Sequence, residues 1–494
     1  MLIFLSAGLS WYKGCNKRDK FMGLDIKEKY ANMLEPFETM GQWWIPSSKD
    51  KFSGILKYDP QEAILELKIL GELLPLKSGP ITFQNVKIVN GLTTGGQYMT
   101  LLNCLYAIDS ISSPGYITSK VIPQFIFVGV CFNNEEEIIF NEAVYSCHNN
   151  EDFMGESGLK PEFQVKDGKL STYNLSYKYP EVINFKVENF NISTNWWISW
   201  PMAGPELNIR EKAGFSIKSS QYYKHTDFLE IPINSIHRFL ELIIEEKLPI
   251  RTVVLKSEKI GWTEEDGTFH QEPVSLLWKQ RISYPLPKKR HPLELLFTIH
   301  GISNEINSVM QKWSGTWQKY KPAQNLFFTV LRMRKELTVE NGFLNLCHVL
   351  EAYHRIKNDE TYMQPEKYEE LLGVIIQAIP QEHKEYIRQR LQYGNELMLR
   401  KRFKQIYDLM PVKIQERIGE RKNFCDKIVN TRNYLTHYDK NIKSLALSYG
   451  EMIKYEAIMI TICKTLFLLE AGINSETINL KLGNFYIPET ISFE

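Results

Sequence analysis

The chain has no strong net charge, no long hydrophobic run, no nucleotide-binding glycine loop and no metal-ligand spacing, and each absence removes a class of function. Across 494 residues, 59 Lys and Arg stand against 58 Asp and Glu, a formal net charge of +1. No global basic field therefore marks the chain for nucleic acid. The most apolar segment, Glu451 to Leu469, is interrupted by Lys454, Glu456 and Lys464 and followed by Glu470. It stops short of the ~20 residues that a span needs, so no membrane partner is expected. Neither Gly-x-x-x-x-Gly-Lys-Ser/Thr nor Gly-x-Gly-x-x-Gly occurs, and Gly95-Gly96 reads as a turn between strands. Seven cysteines, without a Cys-x-x-Cys, read as reduced buried thiols of a cytoplasmic protein. Among ten histidines, His348 and His354 share no helix face well, so neither metal nor cofactor is expected.

What is present divides the chain in two. Up to about residue 290 short apolar runs alternate with polar residues: Leu65, Leu67 and Ile69 around Glu66 and Lys68, Val86 and Ile88 around Lys87, and the inner run Phe125 to Val130. That is the period of half-buried strands. Further strands are predicted near Phe185 to Val187, Ala213 to Lys218 and Val274 to Ile282, with one helix near Ser235 to Glu246. Residues 40–290 are read as a β-rich domain, sandwich or jelly-roll-like. The doublets Trp43-Trp44 and Trp196-Trp197, the second followed by Trp200-Pro201, either stack on a ligand or fill the core; tryptophans this dense are more often core. Residues 1–39 are read as an extension, from an upstream start codon or a flexible tail, with Met22 opening the ordered protein.

From residue 291 to 494 the period becomes helical, which predicts an all-α bundle beyond the stiff junction Pro285 to Pro292. One predicted helix runs from Pro411 to Thr436 with Ile414, Ile418, Cys425, Ile428 and Leu435 on its buried face. Arg432 falls on that stripe, where a guanidinium needs an anion or a partner surface. Asn433 and His437 share the adjacent face. A regular helix holds Arg432 and His437 about 140° apart, and unwinding at the turn Asp439-Lys440-Asn441 would bring them together. The plain reading of these residues is a salt-bridged arginine and a helix-terminal histidine.

Histidine suits removal of a ribose 2′-hydroxyl proton, and arginine suits a crowded phosphate. This kit cleaves RNA without metal, leaves a 2′,3′-cyclic phosphate and spares DNA. One histidine cannot serve both sides of the phosphorus, which calls for a second copy of the chain. Between Lys384 and Lys427, twelve Lys or Arg face six Asp or Glu. Arg400, Lys401, Arg402 and Lys404, with Arg421 and Lys422, offer an RNA backbone a path, although a solvated helix face explains the same run.

The stretch from about 291 to 475, with Arg432-Asn433-x-x-x-His437 and the segment Phe343 to Arg355, resembles a HEPN domain of the ApeA-like branch. Gly41 to Pro46, the hairpin around Tyr58-Asp59-Pro60 and Tyr98 to Leu102 resemble the N-terminal domain that accompanies it in ApeA antiphage-defence proteins. The resemblance implies a ribonuclease of abortive infection, paired through its HEPN domain as a homodimer or higher homo-oligomer so that two motifs face each other. In it the β-rich domain is a sensor that restrains the nuclease until a phage-derived trigger binds. It implies catalytic roles for Arg432 and His437, with Asn433 the polar residue beside the arginine. Glu351 is a further support, whose plain reading is an i to i+4 ion pair with Arg355, and Tyr438 is another. Transfer RNA is one expected substrate. The alternative is a non-catalytic RNA-binding or scaffolding protein whose β-domain recognises a ligand; a lectin-like module is a third reading.

Overall fold

The computed structural model describes residues 28–74, 83–112, 115–199, 202–203, 206–282 and 284–488. The Met22 start, Cys15 and Trp200 lie outside these residues. The chain forms two compact units. One comprises the described residues up to His237 with Leu248–Glu294 and Thr298–Ser303; the other comprises Arg238–Lys247, Leu295–Phe297 and the described residues from Asn304 onward.

In the first unit a short helix, α1 (Glu28–Ala31), precedes β1 (Phe37–Trp44), β2 (Phe52–Asp59), β3 (Ile64–Leu70), β4 (Gln84–Thr93), β5 (Tyr98–Ile111) and β6 (Ile117–Ile122). Neighbours run antiparallel in the order β5-β4-β1-β2-β3-β6, and β6 returns to β5. Six strands thus close into a barrel, which removes their free edges. Alternation fills its interior: Leu65, Leu67, Ile69, Met99, Leu101 and Val121 are all buried. Trp43 lies flat across its cross-strand partner Gly91, where an added Cβ would come within 2.2 Å of the indole. Only glycine leaves that space.

The same sheet continues past β5. It runs through β7 (Phe125–Val128) and β8 (Ile139–Cys147) to β11 (Asn184–Val187), β12 (Phe190–Ser199), β15 (Arg210–Lys224), β16 (Ile250–Lys256) and β19 (Val274–Trp278), in the spatial order β7-β19-β16-β8-β15-β12-β11. The strands expected to form a sandwich or jelly roll therefore belong to one sheet, closed over part of its extent. Three two-stranded ribbons stand apart: β9 (Leu159–Lys166) with β10 (Lys169–Tyr177), β13 (Met202–Ala203) with β14 (Glu206–Leu207), and β17 (Gly261–Thr263) with β18 (Phe269–Gln271). Helices α2 (Asn150–Met154), α3 (His225–Phe228) and α4 (Asn234–Ile244) also precede the helical region.

The junction segment is held to its own unit. His148 Nε2 meets Pro287 O at 2.8 Å, Asn149 Nδ2 donates to Lys288 O at 3.0 Å, and the Arg290 amide donates to Asp152 at 2.8 Å.

The second unit holds α5 (Ile306–Met333), α6 (Val339–Lys357), α7 (Pro365–Ala378), α8 (Lys384–Leu391), α9 (Leu399–Asp408), α10 (Val412–Ile418), α11 (Arg421–His437), α12 (Tyr449–Glu470) and α13 (Ser475–Leu482). The expected helical half is present. No described helix is long and apolar enough to cross a membrane. Within α12, buried Lys464 pairs with Glu245 at 2.6 Å, and Glu470 accepts from Tyr353 at 2.7 Å. These contacts satisfy charges that the otherwise apolar helix carries inward.

Candidate active site

The helix predicted as one element from Pro411 to Thr436 is two, α10 and α11. Gly419 between them has φ +94, and Glu420 caps α11 by accepting from the Lys422 and Asn423 amides at 2.8 and 2.6 Å. The periodic stripe runs through this break because a single glycine does not disturb the spacing on either side. Phe424, Cys425, Ile428, Val429 and Thr431 form the buried side of α11. Thr431 was not singled out from sequence, yet it ties this helix to the segment that leads into α12. Its hydroxyl donates to Lys427 O at 2.7 Å and accepts from the Leu447 amide at 2.8 Å. Its place on the apolar stripe, three residues after Ile428 and four before Leu435, was the signal in the sequence.

Arg432 is half-buried. Its Nη1 donates to Asn433 Oδ1 at 3.3 Å, and its Nε is buried without a hydrogen-bond partner. Cys347 of α6 shares this neighbourhood: burial holds its thiol far above the ordinary range, the Arg432 charge opposes that shift, and Glu351 adds to it. Glu351 accepts from Arg355 Nε and Nη2, each at 3.2 Å, the i to i+4 pair of the plain reading.

His437 is exposed and is the last residue of α11. The helix stays regular to that point and ends at Tyr438, whose φ is 52 and whose exposed ring meets Tyr434 edge-on at 6.0 Å. The unwinding that would bring His437 toward Arg432 is therefore absent. Five regular residues set Arg432 and His437 about 7.5 Å apart along the axis and about 140° apart around it. The structure joins Arg432 with Asn433, and leaves His437 separate on the same helix.

The basic run is less uniform than its composition. Arg400 pairs with Asp426 at 2.7 Å, Lys401 lies over the Tyr362 ring at 5.2 Å, and Arg421 pairs with Asp408. Lys404 is half-buried and Lys422 exposed. Arg402 corrects the reading of this run as one surface, because it is only 4% exposed. Its Nε donates to Leu397 O at 2.9 Å, its Nη1 to His354 Nδ1 at 3.3 Å, and its Nη2 lies 3.6 Å from Glu396. Phe403 and Ile406 turn inward beside it, so the same amphipathic face carries Arg402 into the bundle. His354 Nε2 in turn donates to Gln405 Oε1 at 2.6 Å, and Gln405 Nε2 donates to Glu360 at 2.7 Å. Burial and the Arg402 charge lower the pKa of His354, and the Gln405 bond only partly offsets them.

In the β-rich unit the tryptophan doublets split by strand alternation: Trp43 and Trp196 are buried, whereas Trp44 and Trp197 are half-buried. Trp196 also walls a cleft of about 700 Å³ lined by Glu151, Arg210, Glu211 and Arg251, among others. Burial pulls the Glu151 carboxyl upward, but the Arg251 fork, at 2.7 and 3.2 Å, holds it below its ordinary value. Among the described residues, no group of three or more His, Cys, Asp or Glu is arranged to hold a metal ion.

A β-barrel domain precedes helices that carry Arg-Asn-x-x-x-His, and two family matches give the class, a nuclease-type HEPN protein of antiphage defence. The family described as ApeA N-terminal domain 1 matches residues 38–313, and the one described as Apea-like HEPN matches residues 344–477. The chain belongs to the ApeA family of HEPN proteins. No curated protein and no solved structure matches it.

Proposed function

We propose that the protein is a conditional, metal-independent endoribonuclease of the cytoplasm that cleaves cellular RNA, transfer RNA among the candidates, during abortive infection. The observation that carries this reading is the Arg432 guanidinium, held half-buried with Nε unpartnered, on a helix that ends in exposed His437. An unsatisfied buried cation favours an anion, and a phosphodiester is a bidentate one. Asn433, already bonded to the guanidinium, orients it.

In this mechanism His437 takes the 2′-hydroxyl proton, Arg432 stabilises the pentacoordinate phosphorane, and the leaving 5′-oxygen is protonated by a second His437. The separation of Arg432 from His437 along one regular helix supports a site shared between two chains over one closed within a single chain. Lys401, Lys404 and Lys422, with Arg400 and Arg421 exchanging their carboxylate partners for phosphates, would track the RNA backbone. A phage-derived component would engage the β-rich domain, where a charged cleft is compatible with a ligand, and relieve restraint on the nuclease.

The test is incubation of the parent chain and of Arg432→Ala and His437→Ala variants with total cellular RNA in EDTA, with the new ends mapped. Discrete fragments bearing cyclic phosphates, lost by a factor of about 10² to 10⁴ in either variant, are expected. RNA that stays intact even with infected-cell extract, yet is retained by the protein, would establish the scaffolding alternative instead.

A further inference from the structure

The β9–β10 ribbon extends from the β-rich unit and pairs with no other strand among the described residues. Its tip is the two-residue turn Asp167-Gly168, with φ 53 and φ 72, the left-handed pair that matches the twist of a tight hairpin. Its base is anchored by Glu211, which accepts from Ser157 Oγ at 2.5 Å and from the Gly158 amide at 2.9 Å. The ribbon is therefore well specified at both ends.

Its two faces differ completely. Cross-strand partners Val165 and Leu170, Phe163 and Tyr173, Pro161 and Leu175, and Leu159 and Tyr177 occupy one face. Lys166 and Lys169, Gln164 and Thr172, Glu162 and Asn174, and Lys160 and Ser176 occupy the other. The register shift between Leu170 and Thr172 places the extra residue Ser171 so that Leu170 and Tyr173 fall on the same side. A sequence that uses a bulge to keep four apolar pairs in line has a use for that face. Yet Phe163 is 66% exposed, Val165 60%, Leu170 62% and Tyr173 55%. A lone two-stranded ribbon is marginal in water, and an uncovered apolar sheet face is a hazard unless it is an interface.

We propose that this face docks against the same face of a second copy of the chain, the two ribbons stacking about a two-fold axis. An antiparallel ribbon with matched apolar pairs down one side is complementary to itself after a two-fold rotation, the requirement of an isologous contact. The exposed apolar area is on the order of 500 Å² per copy, so a face-to-face pair buries about 1,000 Å², the lower bound of specific interfaces. The lysines point to the opposite face and remain solvated, so stacking brings no like charges into the contact.

The experiment weighs the full chain by analytical ultracentrifugation through a dilution series, beside Phe163→Glu with Tyr173→Lys. Because these two residues are direct cross-strand partners, the double variant keeps the ribbon paired through opposite charges while making its face polar. The expected result is that the variant assembles to half the mass of the parent with an unchanged far-ultraviolet circular dichroism spectrum. A parent that stays monomeric, or a variant that assembles as the parent does, overturns the proposal. A monomer whose ribbon is nevertheless protected from amide exchange also overturns it and assigns the face to another segment of the same chain. Lys160→Glu on the polar face should leave the mass unchanged. The inference does not rest on the nuclease reading: assembly is weighed without RNA, so either result leaves the cleavage assay to be judged separately.

Discussion

At Arg432 and Glu456 burial of a polar or charged group costs stability. An unpartnered buried Nε costs the fold free energy that only a bound anion returns. Arg432→Met should therefore abolish RNA cleavage while raising stability by about 1 kcal/mol in urea titration. An arginine with a purely structural role would give the opposite sign. Glu456 on α12 has its carboxyl over Gly342 of α6, where an added Cβ would come within 1.8 Å of Oε1. Burial pushes its pKa to about 7, with Arg334 partly opposing. Because the folded pKa lies above the unfolded one, the penalty is absent below about pH 4.5 and complete above about pH 7. Glu456→Gln should thus stabilise the protein at about pH 8 by on the order of 2 kcal/mol and have no effect near pH 4.5, read from melting curves at both values.

At the scale of elements, Thr431 fastens α11 to the segment leading into α12. Thr431→Val keeps the shape but leaves the buried Leu447 amide without an acceptor, so about 1–3 kcal/mol of stability should be lost in denaturant titration. How much was legible from sequence also divides by element. Leu65, Leu67 and Ile69 alternate because β3 has one face inward, so the strand was readable; closure of the barrel depends on β6 finding β3, a long-range pairing that leaves no local period. Trp43 and Trp44 are adjacent and equivalent in composition, and only the pleat decides which is core. The Arg432-to-His437 motif was legible as a spacing, but the regularity of the helix through His437 was not, since the following turn residues suggested earlier unwinding. Arg402 was misplaced for a related reason: a run of four basic residues in five hides which one shares the face of Phe403 and Ile406.

For the whole molecule, the proposal that a second chain completes the site requires activity to depend on concentration. Cleavage per mole of chain should rise with protein concentration and level off once assembly is complete, as measured by initial rates over a dilution series. A rate per chain that does not change with dilution, with the protein monomeric throughout, would contradict a shared site. The Cys347, Cys425 and Cys463 thiols, all raised in pKa by burial, are not positioned to cross-link such an assembly.

β5 has three hydrogen-bonded neighbours. One edge carries β4 along most of its length; the other carries β7 beside Met99 to Leu102 and β6 beside Leu105 to Ile111. Strand separation on either side thus strips the same backbone. The closed and open parts of the sheet cannot melt one at a time, and calorimetry should record them as one cooperative transition, with the β5 amides the last in the domain to exchange their protons for deuterium.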